Sequence, residues 1–424
     1  MKLQLWLNSK RALLMYSGFL LLCLTAFLMP FPRSWSLYSL GLSMITGFLI
    51  WVMDFEVLKA KFVSKLPLNS PPVAYFIIIL IYFLFKTPEW KFIEGYLMFL
   101  LVPLFCFPLF VSDYFFRKKE IFIKIFVFGL ITICLFELLR AYFGWNIGAI
   151  GASDISFDPE SYASSFRSQK LSFLEHPTYL SMKVLFAICL LIILRNEINI
   201  PIFFTLILVA VLSIFLYLLS SRTIYIAFLL IFIYLLYRFL IRYRLGITIL
   251  LIAPLILIGA YKVYTLNPRV INKTELLKKR YTVDKLKIKD LDPRFTSWFT
   301  TFDVIRQHPL FGVGLDAKDI LVEEYKKAGY NNEANLKLNS HNQFLETQLT
   351  LGISGSLVLL WMLFAPLFRK REIWKPELYI TFLIILIIAF LFESVLVRQW
   401  GIMFYTLFYC FQVNMEPVPD QNLL

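Results

Sequence analysis

A chain of 424 residues that is 59% hydrophobic and 18% aromatic, with only 17% charged residues, is too apolar for a water-soluble domain of ordinary composition. Its formal net charge of +14 would point to nucleic acid in a soluble protein, but here Lys and Arg fall mostly between apolar runs and no nucleic-acid motif accompanies them. Runs long enough to cross about 30 Å of hydrocarbon recur along nearly the whole chain, which excludes a secretory protein with one removable signal.

The runs are rich in Leu, Ile and Phe and lack the strict alternation of a barrel, so helices are the expected solution to backbone hydrogen bonding in lipid. In chain order the pattern predicts spans near 12–30, 35–53, 71–86, 94–112, 121–143, 177–195, 199–219, 223–240, 246–264, 342–368, 377–396 and 399–414. The polar break Ser220-Ser221-Arg222 divides the seventh from the eighth. The expected fold class is all-α, a polytopic membrane bundle of about twelve transmembrane helices. The chain divides into spans over 1–265, a large helical loop over 266–340, further spans over 341–414 and a tail over 415–424. All five cysteines, Cys23, Cys106, Cys134, Cys189 and Cys410, lie inside apolar runs and read as small core hydrophobes.

Lys and Arg concentrate in alternate connections: Lys2, Lys10 and Arg11; Lys59, Lys61 and Lys65; Arg117, Lys118 and Lys119; Arg238, Arg242 and Arg244; Arg369, Lys370, Arg371 and Lys375. Those connections are assigned to the cytoplasm, together with both termini. The 266–340 loop and the shorter polar loop 145–174 then share the outer face. So do all three histidines, His176, His308 and His341, and the arginines Arg222, Arg294 and Arg398. An extracytoplasmic site is the natural expectation.

His341 stands in Asn339-Ser340-His341-Asn342-Gln343, where Ser340 and Gln343 have the spacing of a capping box. That reading puts His341 in the first turn of the tenth span, where the helix dipole disfavours a charged ring. Leu345, Gln348, Gly352 and Gly355 then continue one helix face below it, with the glycines leaving room for a neighbouring helix or lipid chain. Arg294, in Asp292-Pro293-Arg294, opens another helix whose Phe295, Trp298, Phe299, Phe302 and Ile305 form an apolar side laid on the membrane or the bundle. Arg222 has the same setting at the start of the eighth span, and two arginines at helix N-termini suit a phosphate. The bland alternatives are a satisfied interfacial histidine and snorkelling arginines. Arg398 is expected to pair with Glu393. His176 before Pro177 and His308 in His308-Pro309-Leu310-Phe311-Gly312-Val313-Gly314 read as turn residues. Zinc spacing, HExxH, GxSxG and Walker patterns are all lacking, so no metal or cofactor is expected.

His341-Asn342, then Gly352-Ile353-Ser354-Gly355, preceded by a loop with Asp292-Pro293-Arg294 and the His308–Gly314 run, resembles the O-antigen ligase family of bacterial envelope glycosyltransferases. The wider group includes protein O-oligosaccharyltransferases and polysaccharide polymerases. The resemblance implies a fold related to the type C glycosyltransferases and a metal-independent, inverting transfer of glycan from undecaprenyl pyrophosphate to lipid A-core, at the periplasmic side of the bacterial inner membrane. It implies His341, Arg222 and Arg294 as catalytic residues; the residues expected to bind substrate are Arg222, Arg294, Asn342 and Arg398. Partners would be the lipid-linked donor, the lipid A-core acceptor and membrane lipid, with no nucleic acid. A polymerase of the same pathway is one alternative. A carrier without chemistry is another, but it would show charged or broken helices through the midplane rather than polar residues at one face.

Overall fold

The computed structural model describes residues 2–85, 90, 93–143, 168–242, 258–259, 262 and 293–415. Most of the expected span 246–264, the loop residues 144–167, the segment 266–292 with Asp292, and the tail beyond Met415 lie outside the described residues.

Helices α1 (Lys2–Leu28) and α2 (Arg33–Met53) form the first hairpin, followed by α3 (Phe55–Ser64) and α4 (Leu66–Phe85). A short 3-10 turn, Glu94–Leu97, leads to α5 (Met98–Phe105) and α6 (Phe107–Phe110), then α7 (Asp113–Phe143) and the short α8 (Ser168–Leu171). Next come α9 (Pro177–Ile193), α10 (Arg195–Ile198), α11 (Ile202–Leu219) and α12 (Arg222–Arg242). Three helices, α13 (Pro293–Gln307), α14 (Ala317–Lys327) and α15 (Asn331–Asn335), precede α16 (Gln343–Phe368), α17 (Pro376–Phe392) and α18 (Gln399–Asn414). Among the described residues, seven helices are long and apolar enough to cross a membrane, and three shorter apolar ones accompany them. The protein is a polytopic helical membrane protein.

Some expected spans are interrupted, and each break has a local cause. The span placed at 94–112 is instead divided between a 3-10 turn, α5 and α6. Pro108 cannot bond to Leu104, and the freed carbonyl accepts from the Trp51 indole N–H at 2.7 Å. The span placed at 71–86 starts earlier, at Leu66, and carries Pro71 and Pro72 inside it. Pro72 frees the carbonyl of Leu68, which accepts from the Tyr409 hydroxyl at 2.6 Å.

A second break is in α16, where Gly352 takes φ 61° and ψ −157°. The helix face expected to run from His341 through Gly355 is therefore broken at Gly352. The run His308–Gly314 lies in the break. Val313 N–H donates to Leu349 O at 2.7 Å, Gly314 N–H to Thr350 O at 3.0 Å, and Ile353 N–H to Leu310 O at 3.1 Å. Tyr82 Oη donates to Phe311 O at 2.5 Å and reaches Leu351 O at 3.2 Å. The room at Gly352 is thus filled by backbone of the connecting segment.

The core lies around α9 and α18, whose residues are buried on nearly every side. Phe186 of α9 packs against Phe404 and Phe408 of α18 and Phe382 of α17 with ring centroids 4.8–5.7 Å apart. Ion pairs and amide bonds gather at one end of the bundle: Asn69 with Asn414, Lys119 and Lys375 with Glu197, Lys65 with the carbonyl of Glu372, and Arg238 with Glu377. The opposite end receives the start of α9, the end of α17 and the start of α18.

Candidate active site

The segment before α16 sets the position of His341. Asn342, not Ser340, is the N-cap: its side chain accepts from Phe344 N–H at 2.9 Å and Leu345 N–H at 3.1 Å. The expected capping box fails because its two members are engaged elsewhere. Ser340 bonds to Glu346, and the Gln343 carbonyl accepts from Leu396 N–H at 2.6 Å. His341 therefore stands ahead of the helix, not in its first turn. Its φ of 48° is left-handed, and the turn is closed by His341 N–H donating to Asn339 Oδ1 at 3.2 Å.

This backbone carries the His341 ring to the end of α17. Its Nδ1 lies 3.5 Å from Glu393 Oε2, at the limit of hydrogen bonding, and makes no hydrogen bond of good geometry. The expected partnership of Glu393 with Arg398 gives way to this contact; no ion pair joins Glu393 and Arg398 among the described residues. The reason is local. Glu393 follows the last turn of α17 in extended backbone and is buried, whereas Arg398 caps α18 and is exposed.

Arg294 and His176 belong to the same electrostatic group. Burial by itself would raise the Glu393 carboxylate; the hydrogen-bonding reach and charge of His341, then His176 and Arg294, outweigh it and hold its pKa below the ordinary value. Burial lowers His176, opposed by Glu393 and reinforced by Arg398, His341 and Arg294. Trp298, one turn after Arg294 on the same face of α13, packs on Phe392 with centroids 6.0 Å apart, which brings Arg294 over the end of α17. Of the residues expected to lie on the membrane or the bundle, Ile305 is buried in the bundle and Trp298 packs on Phe392, while the phenylalanines are turned away from it. Thr296, Ser297, Thr300, Thr301, Val304 and Ile305 are buried, while Phe295, Phe299 and Phe302 face outward.

Arg222 opens α12 at the same end. The Arg238–Glu377 pair, with packing along both helices, makes α12 and α17 antiparallel. Arg222 lies as far from Arg238 as Glu393 lies from Glu377, about 24 Å at helical rise. The two therefore share a level, although no hydrogen bond or ion pair joins Arg222 to His341 or Glu393 among the described residues.

His176 is more than the expected turn residue. It is the N-cap of α9, its Nδ1 accepting from Thr178 N–H at 3.4 Å. Two buried ion pairs fix the segment that precedes it. Glu137 and Arg140 of α7 pair at 2.7 Å; Glu137 also accepts from Phe173 and Leu174 N–H at 3.1 and 3.2 Å, and Arg140 donates to Leu171 O at 3.0 Å. Glu175 pairs with Lys183 at 2.7 Å, and Lys183 donates to Met29 O at 2.8 Å. Sequence reading passed over these four residues and Glu346. Their signal was present, since ionisable residues inside apolar runs need partners. His308 is exposed.

Beside the group is a cavity of about 470 Å3 whose lining includes Arg33, Glu94, Lys318, Glu346, Arg398 and Trp400. The site thus combines a histidine–carboxylate pair, an arginine in the same electrostatic group, a second arginine at the same level, and an adjacent cavity with charged residues in its wall. Such a set can accept a proton from a hydroxyl and stabilise a leaving anion.

Residues 204–360 match the family described as O-Antigen ligase. The match includes Arg222, Arg294, His341 and Asn342 and stops before Glu393 and Arg398. No curated protein matches the chain.

Proposed function

We propose, for a chain whose residues 204–360 belong to the O-antigen ligase family, that it transfers glycan from undecaprenyl pyrophosphate to lipid A-core at the periplasmic face of the bacterial inner membrane. The chemistry of that family is ligase- or polymerase-type glycosyl transfer. The observation that carries the reading is the His341–Glu393 contact at 3.5 Å with Arg294 in its electrostatic group.

With Nδ1 turned to Glu393, Nε2 of His341 is the atom left for the acceptor hydroxyl. The hydroxyl oxygen attacks the anomeric carbon from the face opposite the pyrophosphate, and its proton passes to His341. The bond from the anomeric carbon to the phosphate oxygen breaks, its electron pair leaving with the pyrophosphate, and configuration inverts. Arg222 and Arg294 would neutralise that anion through forked contacts. Glu393 would hold the ring in one tautomer and support its charged form; such contacts are often long before substrate binds. Asn342 fixes the helix start beneath the histidine, and the cavity lined by Arg398 would seat the acceptor sugar. Arginine charge supplies the role a metal could play, so the reaction is metal-independent.

Reconstitution of the purified protein with lipid-linked glycan and lipid A-core, without ATP and with chelator, tests the reading. Glycan should appear on lipid A-core with the wild type and not with His341→Ala, and Arg222→Lys and Arg294→Lys should lose most activity because an ammonium replaces the fork. Longer lipid-linked chains with unmodified lipid A-core would assign the protein to polymerisation instead. Loss of activity with chelator and its return with one metal would refute the metal-free step.

A further inference from the structure

The pair formed by His341 and Glu393 comes from two separate chain segments, and neither is a regular helix at that point. Something must hold them in register, because the two segments meet without regular secondary structure and His341 adopts a left-handed conformation that is uncommon for a residue with a Cβ. The residues flanking the pair supply the answer. Ser340 immediately precedes His341, and Ser394 immediately follows Glu393. Both serines are fully buried, and both turn toward Glu346, which lies one turn into α16 and is itself buried.

One carboxylate oxygen gathers all three contacts. Glu346 Oε2 accepts from Ser340 N–H at 3.1 Å, from Ser340 Oγ at 2.5 Å, and from Ser394 Oγ at 3.5 Å. The two serine hydroxyls are also 3.2 Å apart. Glu346 therefore ties the segment bearing the histidine to the segment bearing its carboxylate partner. It touches neither member of the pair by a hydrogen bond. A charged acceptor gives shorter, stronger bonds than an amide or hydroxyl would. Its place in the wall of the cavity puts it next to the space proposed for the acceptor.

We propose that Glu346 is a positioning residue, the clip that sets the distance and angle between His341 and Glu393 through Ser340 and Ser394. It acts on the reaction through them and does not itself exchange a proton with substrate. The activity part of this assignment rests on the transferase reading above; the geometric part does not.

Two variants and two readouts test it. Glu346→Asp shortens the side chain by one methylene and pulls the clip by about 1 Å, a displacement that costs on the order of a hundredfold in turnover when it reaches reacting groups. Glu346→Gln keeps the length and gives up the charge, so it should fall between the wild type and the Asp variant. In both, kcat should drop while KM for the lipid-linked donor stays within about twofold, since donor contacts are elsewhere. The second readout needs no turnover. The chain has three histidines, so histidine-labelled protein in detergent gives a resolvable set of imidazole signals, with His341 assigned from His341→Ala. The His341 signal should move in both variants, and that of the exposed His308 should not. An unmoved His341 signal in both folded variants overturns the proposal. So does an active wild type with kcat in the Asp variant within about threefold of normal. If the wild type itself transfers no glycan, the transferase reading fails, and the His341 signal still decides the geometry.

Discussion

Replacing Gly352 by alanine perturbs the contact between α16 and the His308–Gly314 run at its closest point. A Cβ at residue 352 would lie 2.1 Å from Leu310 O, 2.6 Å from Leu310 C and 2.7 Å from Phe311 C, all backbone atoms with no rotamer to yield. The native φ of 61° with ψ −157° is also a region that only glycine occupies freely, worth about 1–3 kcal/mol to any other residue. The run must then lift from the helix. Three backbone hydrogen bonds, from Val313, Gly314 and Ile353, go with it, at about 1 kcal/mol each. Relaxing to a regular helix releases the strain and leaves the three lost bonds as the main cost, on the order of 3 kcal/mol against the 5–15 kcal/mol typical of a folded domain. Alanine being the best helix former, the variant should trade the break for a continuous helix with the run undocked. Denaturant unfolding in detergent, followed by tryptophan fluorescence, measures the loss. Gly312→Ala strikes the same contact from the other side, where a Cβ would meet Leu349 O at 2.5 Å. The double variant should therefore be little worse than either single one, because the contact can be lost only once. A Gly352→Ala protein within about 1 kcal/mol of wild type, or additive losses in the double variant, would refute the reasoning.

Two further outcomes follow from groups near the start of α9. Lys183→Met should destabilise the protein by about 3–5 kcal/mol, since it leaves the buried Glu175 carboxylate without its cation and Met29 O without its donor; a thermal midpoint equal to wild type would contradict this. His176 is held below the ordinary imidazole value of 6.5 by burial, and its neutral ring accepts the Thr178 cap bond. Because the unfolded state binds that proton more readily, the contribution is fully present above pH 6.5 and is lost as pH falls below it. Thermal midpoints of the wild type should therefore drop between pH 8 and pH 5.5 more steeply than those of His176→Gln, and parallel slopes would remove His176 from the account.

The helical class and the multiple crossings could be read from the chain because long apolar runs have one solution in lipid. Breaks inside those runs were harder to read. Pro71, Pro72 and Pro108 announce a missing donor, but not the Tyr409 and Trp51 side chains that make it tolerable. Gly352 was read for its small size, whereas its conformation is what matters. His341, Arg294 and Arg222 could be singled out because polar residues at the ends of spans are few. Their neighbours depend on tertiary placement. Glu393 was assigned to the cation five residues away in sequence, and the fold turned it toward a histidine from another segment. Asn342 took the cap from Ser340 because a tertiary carboxylate, Glu346, claimed the serine first. Such competition between local and distant partners leaves no trace in spacing.

The hairpin of α11 and α12 has a consequence for how a lipid-linked substrate would arrive. Phe203, Phe204, Leu206, Ile214, Ile226 and Phe228 all face outward from it, and the turn between the two helices ends at Arg222. On the proposed reading, a polyprenyl chain moving along this apolar flank would stay in hydrocarbon while its head group reached the arginine. Extraction of the tail, at about 0.8 kcal/mol for each methylene, is never required. Recognition would then act on the head group alone, and encounter would be a search in two dimensions, governed by the surface density of the lipid in the leaflet instead of its concentration in water.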